Sequence, residues 1–116
     1  MFIRVWSSAT HGVDALPIEI ETNVASGMHK YTVVGLPQGA VRESLDRIWA
    51  ALKNENLQAP RGRITVNLAP ADVPKDSAAF DLPLAVGLIA AASGTIDPDA
   101  VGAHWIMGEL SLDGTV

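Results

Sequence analysis

The chain has 116 residues, of which 48% are hydrophobic and 18% charged, which is typical of a single globular domain and excludes an intrinsically disordered chain. It contains no cysteine, so disulfide bonds and thiol chemistry are excluded. The formal net charge of −5 argues against a protein that wraps nucleic acid over its whole surface, because phosphate binding needs clustered Lys and Arg side chains.

The sequence shows no sign of a membrane-bound protein. Its longest apolar run, residues 82–92, is shorter than the roughly 18 residues that a membrane-spanning helix needs. Residues 1–12 lack the apolar segment of a secretory signal peptide. We therefore expect a cytoplasmic protein without a membrane partner.

Three strands are predicted in the first third of the chain. Apolar and polar residues alternate over residues 1–7, 16–24 and 30–36, and turn-forming residues separate these segments at 11–14 and 25–29. Because consecutive strands joined by short turns usually pair with each other, we expect an antiparallel meander of three strands.

Residues 38–56 show the clearest helical pattern. Apolar side chains recur at helical spacing, which predicts one stripe facing the sheet, formed by Val41, Leu45, Ile48, Trp49 and Leu52. The opposite side is charged and expected to be solvated, and Glu43 and Arg47 on it are spaced as a favourable i, i+4 ion pair.

A fourth strand and a second helix follow, on either side of a proline-bounded acidic loop. Ile64, Val66 and Leu68 alternate with small or polar residues, which predicts a strand with one buried face. Asp81 is placed to cap a helix over residues 82–92. Because this helix is apolar all round, we expect it to be the buried central element of the core.

The last part of the chain predicts one more strand, at residues 104–112. Residues 93–94 end the second helix, residues 97–98 begin a short turn, and residues 113–114 (Asp-Gly) give a strong hairpin signal. Because a domain rarely ends on a turn without a returning strand, we expect part of a longer polypeptide. The elements together predict an α+β fold: one domain over residues 1–116, with a mixed or antiparallel sheet of about five strands and two main helices on one side.

Three segments of the chain resemble a known family: VVGLPQGAVRES at 33–44, VNLAPADVPKDSAAFDLPLA at 66–85 and GELSLDG at 108–114. They are similar to the N-terminal, ChlI-type domain of the ComM/YifB family of magnesium-chelatase-subunit-like AAA+ ATPases. That domain resembles the proteolytic domain of Lon and the Lon-like domain of RadA. The resemblance implies the fold that Lon shares with the second domain of ribosomal protein S five, including a left-handed β-α-β crossover.

The resemblance also implies a function. It implies a hexameric ring motor that acts on DNA, with branch-migration helicase activity during natural transformation. This domain would be a non-catalytic module that helps to assemble the ring or to guide DNA, with the downstream AAA+ domain, further copies of the chain and DNA as partners. The chain lacks the G-x-x-x-x-G-K-[ST] motif, so we expect no cofactor here, and ATP and Mg²⁺ in the downstream domain.

A degenerate Lon-like serine peptidase is the alternative enzyme hypothesis. Lon-type proteolysis uses a serine at the start of a helix and a lysine of lowered pKa beside it. The resemblance places Ala79 at the serine position, Asp81 where Lon has glycine, and the lysine beyond residue 114. Lys75 and Ser77 could form a local pair, but we expect them to be solvated residues of the loop and predict no enzyme activity.

Direct DNA binding by this domain is the third hypothesis. Lys53, Arg61 and Arg63 could form a small basic edge, which is the candidate DNA contact in this sequence. Charged residues at helix ends and in turns are usually only solvated, and this is the simpler interpretation. The two interpretations differ in whether charge reversal at Arg61 or Arg63 weakens DNA binding.

Aromatic residues offer another way to contact nucleic-acid bases. Trp49 lies on the apolar stripe and Trp105 in the predicted last strand, so we expect both to pack in the core. Trp6, beside Arg4 in the first strand, is the tryptophan expected at the surface.

The sequence predicts neither a metal centre nor a nucleotide loop. The histidines lack the spacing of metal ligands and are expected at the surface or in turns: His11, His29 and His104. The carboxylates around the acidic loop could gather oxygen ligands, but turns and helix capping explain them: Asp72, Asp76 and Asp81. Residues 35–39 lack the spacing and lysine of a phosphate loop, although the helix start that follows them could attract an anion.

Overall fold

Four strands form one mixed sheet in the described part of the chain, which comprises residues 1–11, 14–94 and 96–116 of a computed structural model. The strands are β1 (Phe2–His11), β2 (Asp14–Ala25), β3 (Lys30–Val34) and β4 (Arg63–Ala69), and they lie in the order β1-β2-β4-β3. The helices described are α1 (Gly39–Asn54), α2 (Asp81–Ser93) and the short α3 (Pro98–Gly102), and a 3₁₀ turn at Ala78–Phe80 leads into α2. The predicted α+β class is confirmed. No helix among these residues is long and apolar enough to cross a membrane.

The strand order shows that the predicted antiparallel meander is wrong. β1 and β2 pair antiparallel as expected, and residues 12 and 13 of the turn between them lie outside the described residues. β4, however, lies between β2 and β3, antiparallel to β2 and parallel to β3. The reason is burial: Ile64, Val66 and Leu68 of β4 are fully buried and take a central position, whereas the shorter β3 is at most half-buried and lies at the edge. Helix α1 makes the crossover that a parallel pair requires.

One face of the sheet carries the hydrophobic core. Alternate residues of β2 and β4 are buried, and the buried side chains of α1 and α2 belong to the same cluster as theirs. On α1 the predicted stripe is buried at Val41, Ile48 and Leu52. Gly87 lets α2 approach β2 closely, because a Cβ atom at this position would lie only 2.8 Å from Thr22 Oγ1.

Helix α2 differs from its prediction at its start and on one side. Its N-cap is Phe80, and Asp81 is the first helical residue, so the predicted capping role of Asp81 is wrong. Gly94, with φ of 64°, ends the helix as predicted. The prediction of burial all round is also wrong, because three residues at spacing i, i+4 and i+7 are only half-buried. We call these residues the outer stripe: Leu82, Val86 and Ile89.

The predicted strand at residues 104–112 is wrong. In the described chain this segment makes a single β-bridge, between Trp6 and Trp105, and the Ile106 amide donates to the Trp6 carbonyl at 2.9 Å. It then turns towards the start of α2, where the Gly108 amide donates to a carbonyl of the 3₁₀ turn at 2.9 Å. Because the segment pairs with β1 only at this bridge and then binds the 3₁₀ turn, the described chain has four strands instead of the predicted five.

The two turns predicted near the end of the chain have different outcomes. Residues 97–98 begin α3 instead of an isolated turn, and the Asp97 carboxylate accepts a hydrogen bond from the Asp99 amide at 3.0 Å. The turn at residues 113–114 is present. It is closed by the Ser111 amide, which donates to the Thr115 carbonyl at 2.8 Å.

An ion pair joins α1 to α2. Arg47 donates from Nε to Asp81 Oδ2 at 2.8 Å and from Nη2 to Asp81 Oδ1 at 3.0 Å. The Asp81 side chain is fully buried, and its Oδ2 also accepts from the Leu110 amide at 3.1 Å. One carboxylate therefore connects two helices and the C-terminal segment. The predicted pair of Arg47 with Glu43 is present but looser, at 3.8 Å, and the expectation of a solvated Arg47 is wrong because Asp81 draws it inward.

The surroundings of Asp81 keep its carboxyl ionised. Burial alone raises the pKa, but the hydrogen bonds from Arg47 and the Leu110 amide and the positive charge of Arg47 outweigh burial and lower the pKa below the ordinary value of 3.8. A carboxyl whose pKa is lower in the folded than in the unfolded chain contributes stability above the unfolded-state pKa. That contribution is lost as the pH falls through the folded-state pKa.

Replacing Asp81 by Asn is expected to lower the free energy of unfolding by about 3 kcal/mol near neutral pH, because Arg47 loses its buried counter-charge. Denaturant unfolding of both proteins at a series of pH values measures this. The difference between them should shrink as the pH falls from the ordinary carboxyl pKa of 3.8 towards the lower folded-state pKa. The unfolded wild-type chain takes up a proton first in this range, and the folded carboxyl becomes neutral only below its own pKa.

Glu43→Gln is the matched control. The Glu43 carboxylate lies 3.8 Å from Arg47, but its side chain is 75% exposed, so we expect a change of at most about 0.5 kcal/mol. An Asp81→Asn variant as stable as Glu43→Gln would show that the buried pair does not hold the helices together.

Candidate functional site

Four basic side chains lie at the end of the sheet where β3 and β4 begin. Lys30 and Arg63 are directly opposite each other in the parallel register of these strands, and Arg61 precedes β4 by two residues. Lys53 lies in the last turn of α1. All four residues are exposed. We call Lys30, Lys53, Arg61 and Arg63 the basic end.

Aromatic packing brings the last turns of α1 to this end of the sheet. The Trp49 ring, one helical turn before Lys53, makes edge contacts with the rings of Tyr31 at 5.9 Å and His29 at 6.3 Å between centroids. His29 and Tyr31 flank Lys30 in the sequence. The end of α1, which carries Lys53, is therefore adjacent to the start of β3.

Of the three residues predicted to form a basic edge, Arg61 and Arg63 lie at the start of β4, where the strand register adds Lys30, and Lys53 lies at the end of α1 near the start of β3. Sequence reasoning missed Lys30 because the expected meander placed β3 beside β2. Only the observed pairing of β3 with β4 places Lys30 next to Arg63. A correct prediction of the parallel pair would have found this residue.

The basic end differs in its electrostatics from other cations of the chain. Among the described residues, no ion pair within 4.0 Å includes any of its four members. In contrast, Arg4 is paired with Glu19 and Arg47 with Asp81. The result is an exposed positive region on a chain whose net charge is −5.

Lys75 is fully buried, so the expectation of a solvated side chain in the acidic loop is wrong. Its ammonium group donates to three backbone carbonyls, those of Gly35 at 2.8 Å, Leu68 at 2.9 Å and Pro70. An ammonium has three N–H donors, so donors and acceptors match in number. The structural reason is that β3 and β4 end here, so that carbonyls at and after the strand ends need a donor outside the sheet.

Lys75 and Ser77 are engaged with different partners. Ser77 Oγ accepts from the Ala79 amide at 3.1 Å, and no hydrogen bond joins Ser77 to Lys75 in the part of the chain that the structure describes. Burial lowers the pKa of the Lys75 amine, and the charge of Asp72 acts in the opposite direction. The geometry fits a role for Lys75 in joining strand ends, and it does not present the amine to Ser77.

The carboxylates around the acidic loop do not converge. Asp76 Oδ1 accepts from the Ala40 amide at 2.9 Å, so the start of α1, considered above as an anion site, is occupied by the chain's own carboxylate. Asp81 is paired with Arg47, and Asp72 is exposed. Within the described residues, no group of three or more His, Asp or Glu side chains could hold a metal ion.

The tryptophans differ in part from their predictions. Trp49 packs half-buried against the core, as expected. Trp105 is 61% exposed, and its predicted place in the core is wrong because its segment leaves the sheet. Its ring lies against that of half-buried Trp6, with 6.1 Å between centroids, at the sheet edge opposite β3. The aromatic pair is therefore separate from the basic end.

The two histidines whose side chains are described occupy different environments. His29 contacts Trp49, and His104 Nδ1 lies 2.6 Å from the Ala100 carbonyl oxygen. The side chain of His11 lies outside the described residues.

Replacing Lys75 by Met is expected to lower the free energy of unfolding by about 3 kcal/mol, because three backbone carbonyls, among them that of buried Leu68, lose their donor. Denaturant unfolding measures the change. Lys53→Met is the control, since the exposed Lys53 has no ion pair in the described structure, and we expect it to change stability by less than about 0.5 kcal/mol.

Amine acylation of the native protein tests the same point without a substitution. Lys53 should react readily, and Lys75 should react only as fast as the chain unfolds, because its amine is buried. Equal reaction rates at the two lysines would contradict the buried position of Lys75 and reopen its pairing with Ser77.

Comparison with known proteins identifies the family. A family model described as subunit ChlI of Mg-chelatase matches residues 20–116. The chain is 44% identical over 110 residues to the competence protein ComM of Haemophilus influenzae. The aligned residues are 95% of this chain and 21% of that protein. The chain is 42% identical to protein YifB of Salmonella typhimurium and 39% identical to YifB of Escherichia coli, each over 112 residues that cover 97% of this chain and 22% of the relative.

The chain spans about one fifth of the length of these relatives, at their N-terminal end. The residues matched by the family model include the whole basic end, Lys75 and the Arg47–Asp81 pair. The three sequence segments that resembled the ComM/YifB family lie in the same range. The chain therefore belongs to the family of subunit ChlI of Mg-chelatase, as a relative of the N-terminal region of ComM and YifB.

Proposed function

We propose that this chain is the non-catalytic N-terminal domain of a ComM-like AAA+ ATPase, in which it guides DNA and helps to assemble a hexameric ring. ATP and Mg²⁺ belong to the downstream domain of the same polypeptide in this proposal. The alignment with the N-terminal fifth of longer relatives supports it, as does the name of one relative, competence protein ComM.

The basic end is the observation that carries the DNA-guiding role. Its four exposed cations lack carboxylate partners in the described chain, three of them at the starts of β3 and β4 and one in the last turn of α1. The remaining surface is acidic overall, since the whole chain has a net charge of −5. A phosphate backbone is attracted to the basic end and repelled by the rest of the surface, so the charge distribution orients the domain on DNA.

The contacts of Lys75 support a non-catalytic role. A lysine that acts as a general base must lose its proton and reach a nucleophile. The Lys75 ammonium instead uses its three donors on backbone carbonyls, and the resemblance to Lon places Ala79 at the serine position. The chemistry of the parent protein then belongs to its ATPase domain.

A Lon-type fold is part of the proposal. The parallel β3 and β4 joined by α1 supply the β-α-β unit that this fold contains. The resemblance implies that its crossover is left-handed, against the usual right-handed rule. A crystal structure of the chain with a right-handed crossover would exclude a Lon-type fold.

Reversing both charges in an Arg61→Glu, Arg63→Glu variant is expected to weaken DNA binding at least tenfold, because two phosphate contacts are replaced by repulsion. Fluorescence anisotropy with a labelled duplex, repeated over a range of salt concentrations, measures this. The slope of log affinity against log salt should fall by about two, at about one per lost phosphate contact.

Arg42→Glu is the control for a charge reversal outside the basic end, and it changes the net charge by half as much as the double variant. Arg42 is exposed in the first turn of α1, eleven residues before Lys53 and so roughly 16 Å away along the helix. We expect it to alter affinity by less than about twofold, because it contacts no phosphate in the proposed arrangement. A loss in log affinity for Arg42→Glu that is half as large as that of the double variant, in proportion to the charge change, would mean that DNA senses only net charge. An affinity unaffected by the double variant would remove the DNA-guiding role.

A further inference from the structure

An apolar groove lies between the C-terminal half of α1 and the outer stripe of α2. Its volume is about 130 Å³, and Leu110 and residues near the end of the chain complete its walls. Almost all lining side chains are apolar, and the Glu55 carboxylate is the charged group among them. The groove is separate from the basic end, whose four residues do not line it.

The outer stripe shows that the groove is incompletely covered. Leu82, Val86 and Ile89 are half-buried, although α2 is apolar all round. A helix of this kind is normally buried on all sides. Leu57 and Val116 beside the stripe are 46% and 71% exposed, so the apolar surface extends to the rim of the groove.

The size and chemistry of the groove favour a polypeptide segment over a small molecule. Sites for small molecules usually enclose roughly 300–1,000 Å³ and contain several convergent polar groups. The groove offers about 130 Å³ and one carboxylate. This volume resembles the roughly 150 Å³ apolar cavity that accepts benzene, so it suits one or two apolar side chains.

The groove is too small to hold a separate protein by itself. A stable interface between two proteins uses roughly 20–30 residues on each side. Eleven residues line the groove. A segment tethered to the same polypeptide needs much less contact, because its effective concentration reaches the millimolar range.

We propose that the groove receives an apolar segment of the same polypeptide, from beyond position 116 of the full-length protein. The proposal rests on the proposed function in one respect, the placement of this chain at the N-terminus of a longer protein. This chain covers only 21–22% of the relatives' length, so proteins of this kind contain further polypeptide that could provide the segment. Gly114 and Val116 line the groove, so in such proteins the polypeptide that follows begins at the groove itself.

The segment acts as an anchor between this domain and the part of the protein that follows. One apolar side chain enters between Leu82, Val86 and Ile89, and it removes their exposed surface from water. The Leu110 amide donates a hydrogen bond to Asp81 Oδ2, and this bond keeps the opposite wall of the groove in place. The docked segment therefore couples the position of the downstream domain to the two main helices.

Cysteine labelling tests the proposal, because the chain has no cysteine of its own. Val86→Cys and, separately, Ile89→Cys place a thiol in the groove, and Met28→Cys is the control at a site that is 88% exposed. Each variant is made in the 116-residue chain and in the full polypeptide encoded by its gene. Maleimide labelling of the peptide that contains the new thiol is followed by mass spectrometry.

We expect the groove thiols to react at least tenfold more slowly in the full polypeptide than in the 116-residue chain, with equal rates for Met28→Cys. The protection should not depend on protein concentration, because the segment is tethered. Equal rates at the groove in both proteins, or a gene that ends at residue 116, would overturn the proposal. Protection that appears only as the protein oligomerises would also overturn it, because the occupant would then be another copy.

A second measurement avoids substitutions in the groove. Hydrogen exchange of α2 and residues 110–116 should be slower in the unsubstituted full polypeptide than in the 116-residue chain. Unchanged exchange would contradict docking even if the cysteine variants fail to fold. The groove experiment and the DNA experiment can fail separately. Unprotected groove thiols, together with weaker DNA binding of the Arg61→Glu, Arg63→Glu variant, would reject this inference alone. Protected groove thiols, together with unchanged DNA binding of that variant, would reject only the DNA-guiding role.

Discussion

The Arg47–Asp81 pair is the interaction on which the arrangement of the helices depends. Its carboxylate is fully buried, is bound at both oxygens by one guanidinium, and accepts a third hydrogen bond from the Leu110 amide. A buried charge is tolerated only with such complete pairing, so the position of α1 relative to α2 is narrowly defined. Because α1 is held at its middle, its last turn is fixed against the start of β3. Both the basic end and the apolar groove require that position.

The sequence correctly predicted those features that depend on the residue pattern within a single helix or strand. The period of α1 predicted its buried stripe, and the alternation of Ile64, Val66 and Leu68 predicted β4. Pairing between strands depends on contacts distant in sequence, and the short turn before β3 wrongly favoured β2 as its neighbour. The basic end was therefore predicted without Lys30.

The burial of two polar residues, Asp81 and Lys75, could not be predicted from the sequence for a related reason. Asp81 stands immediately before an apolar run, where a helix cap and an ion-pair partner look the same in sequence. Lys75 stands between Pro74 and Asp76 and has the local pattern of a solvated loop. Its true partners are carbonyls contributed by three separate positions, and only the folded chain brings these together. The residues next to Lys75 in the sequence therefore cannot predict that its side chain is buried.

The three carbonyls around Lys75 also resemble the way proteins and channels coordinate monovalent cations, with oxygen dipoles replacing the hydration shell. Here the cation is covalently attached to the chain. A bound potassium or ammonium ion would stabilise this junction by an amount that depends on its concentration in solution. A tethered ammonium removes that dependence, so the junction of β3 and β4 keeps its internal cation whatever the ionic composition of the surroundings.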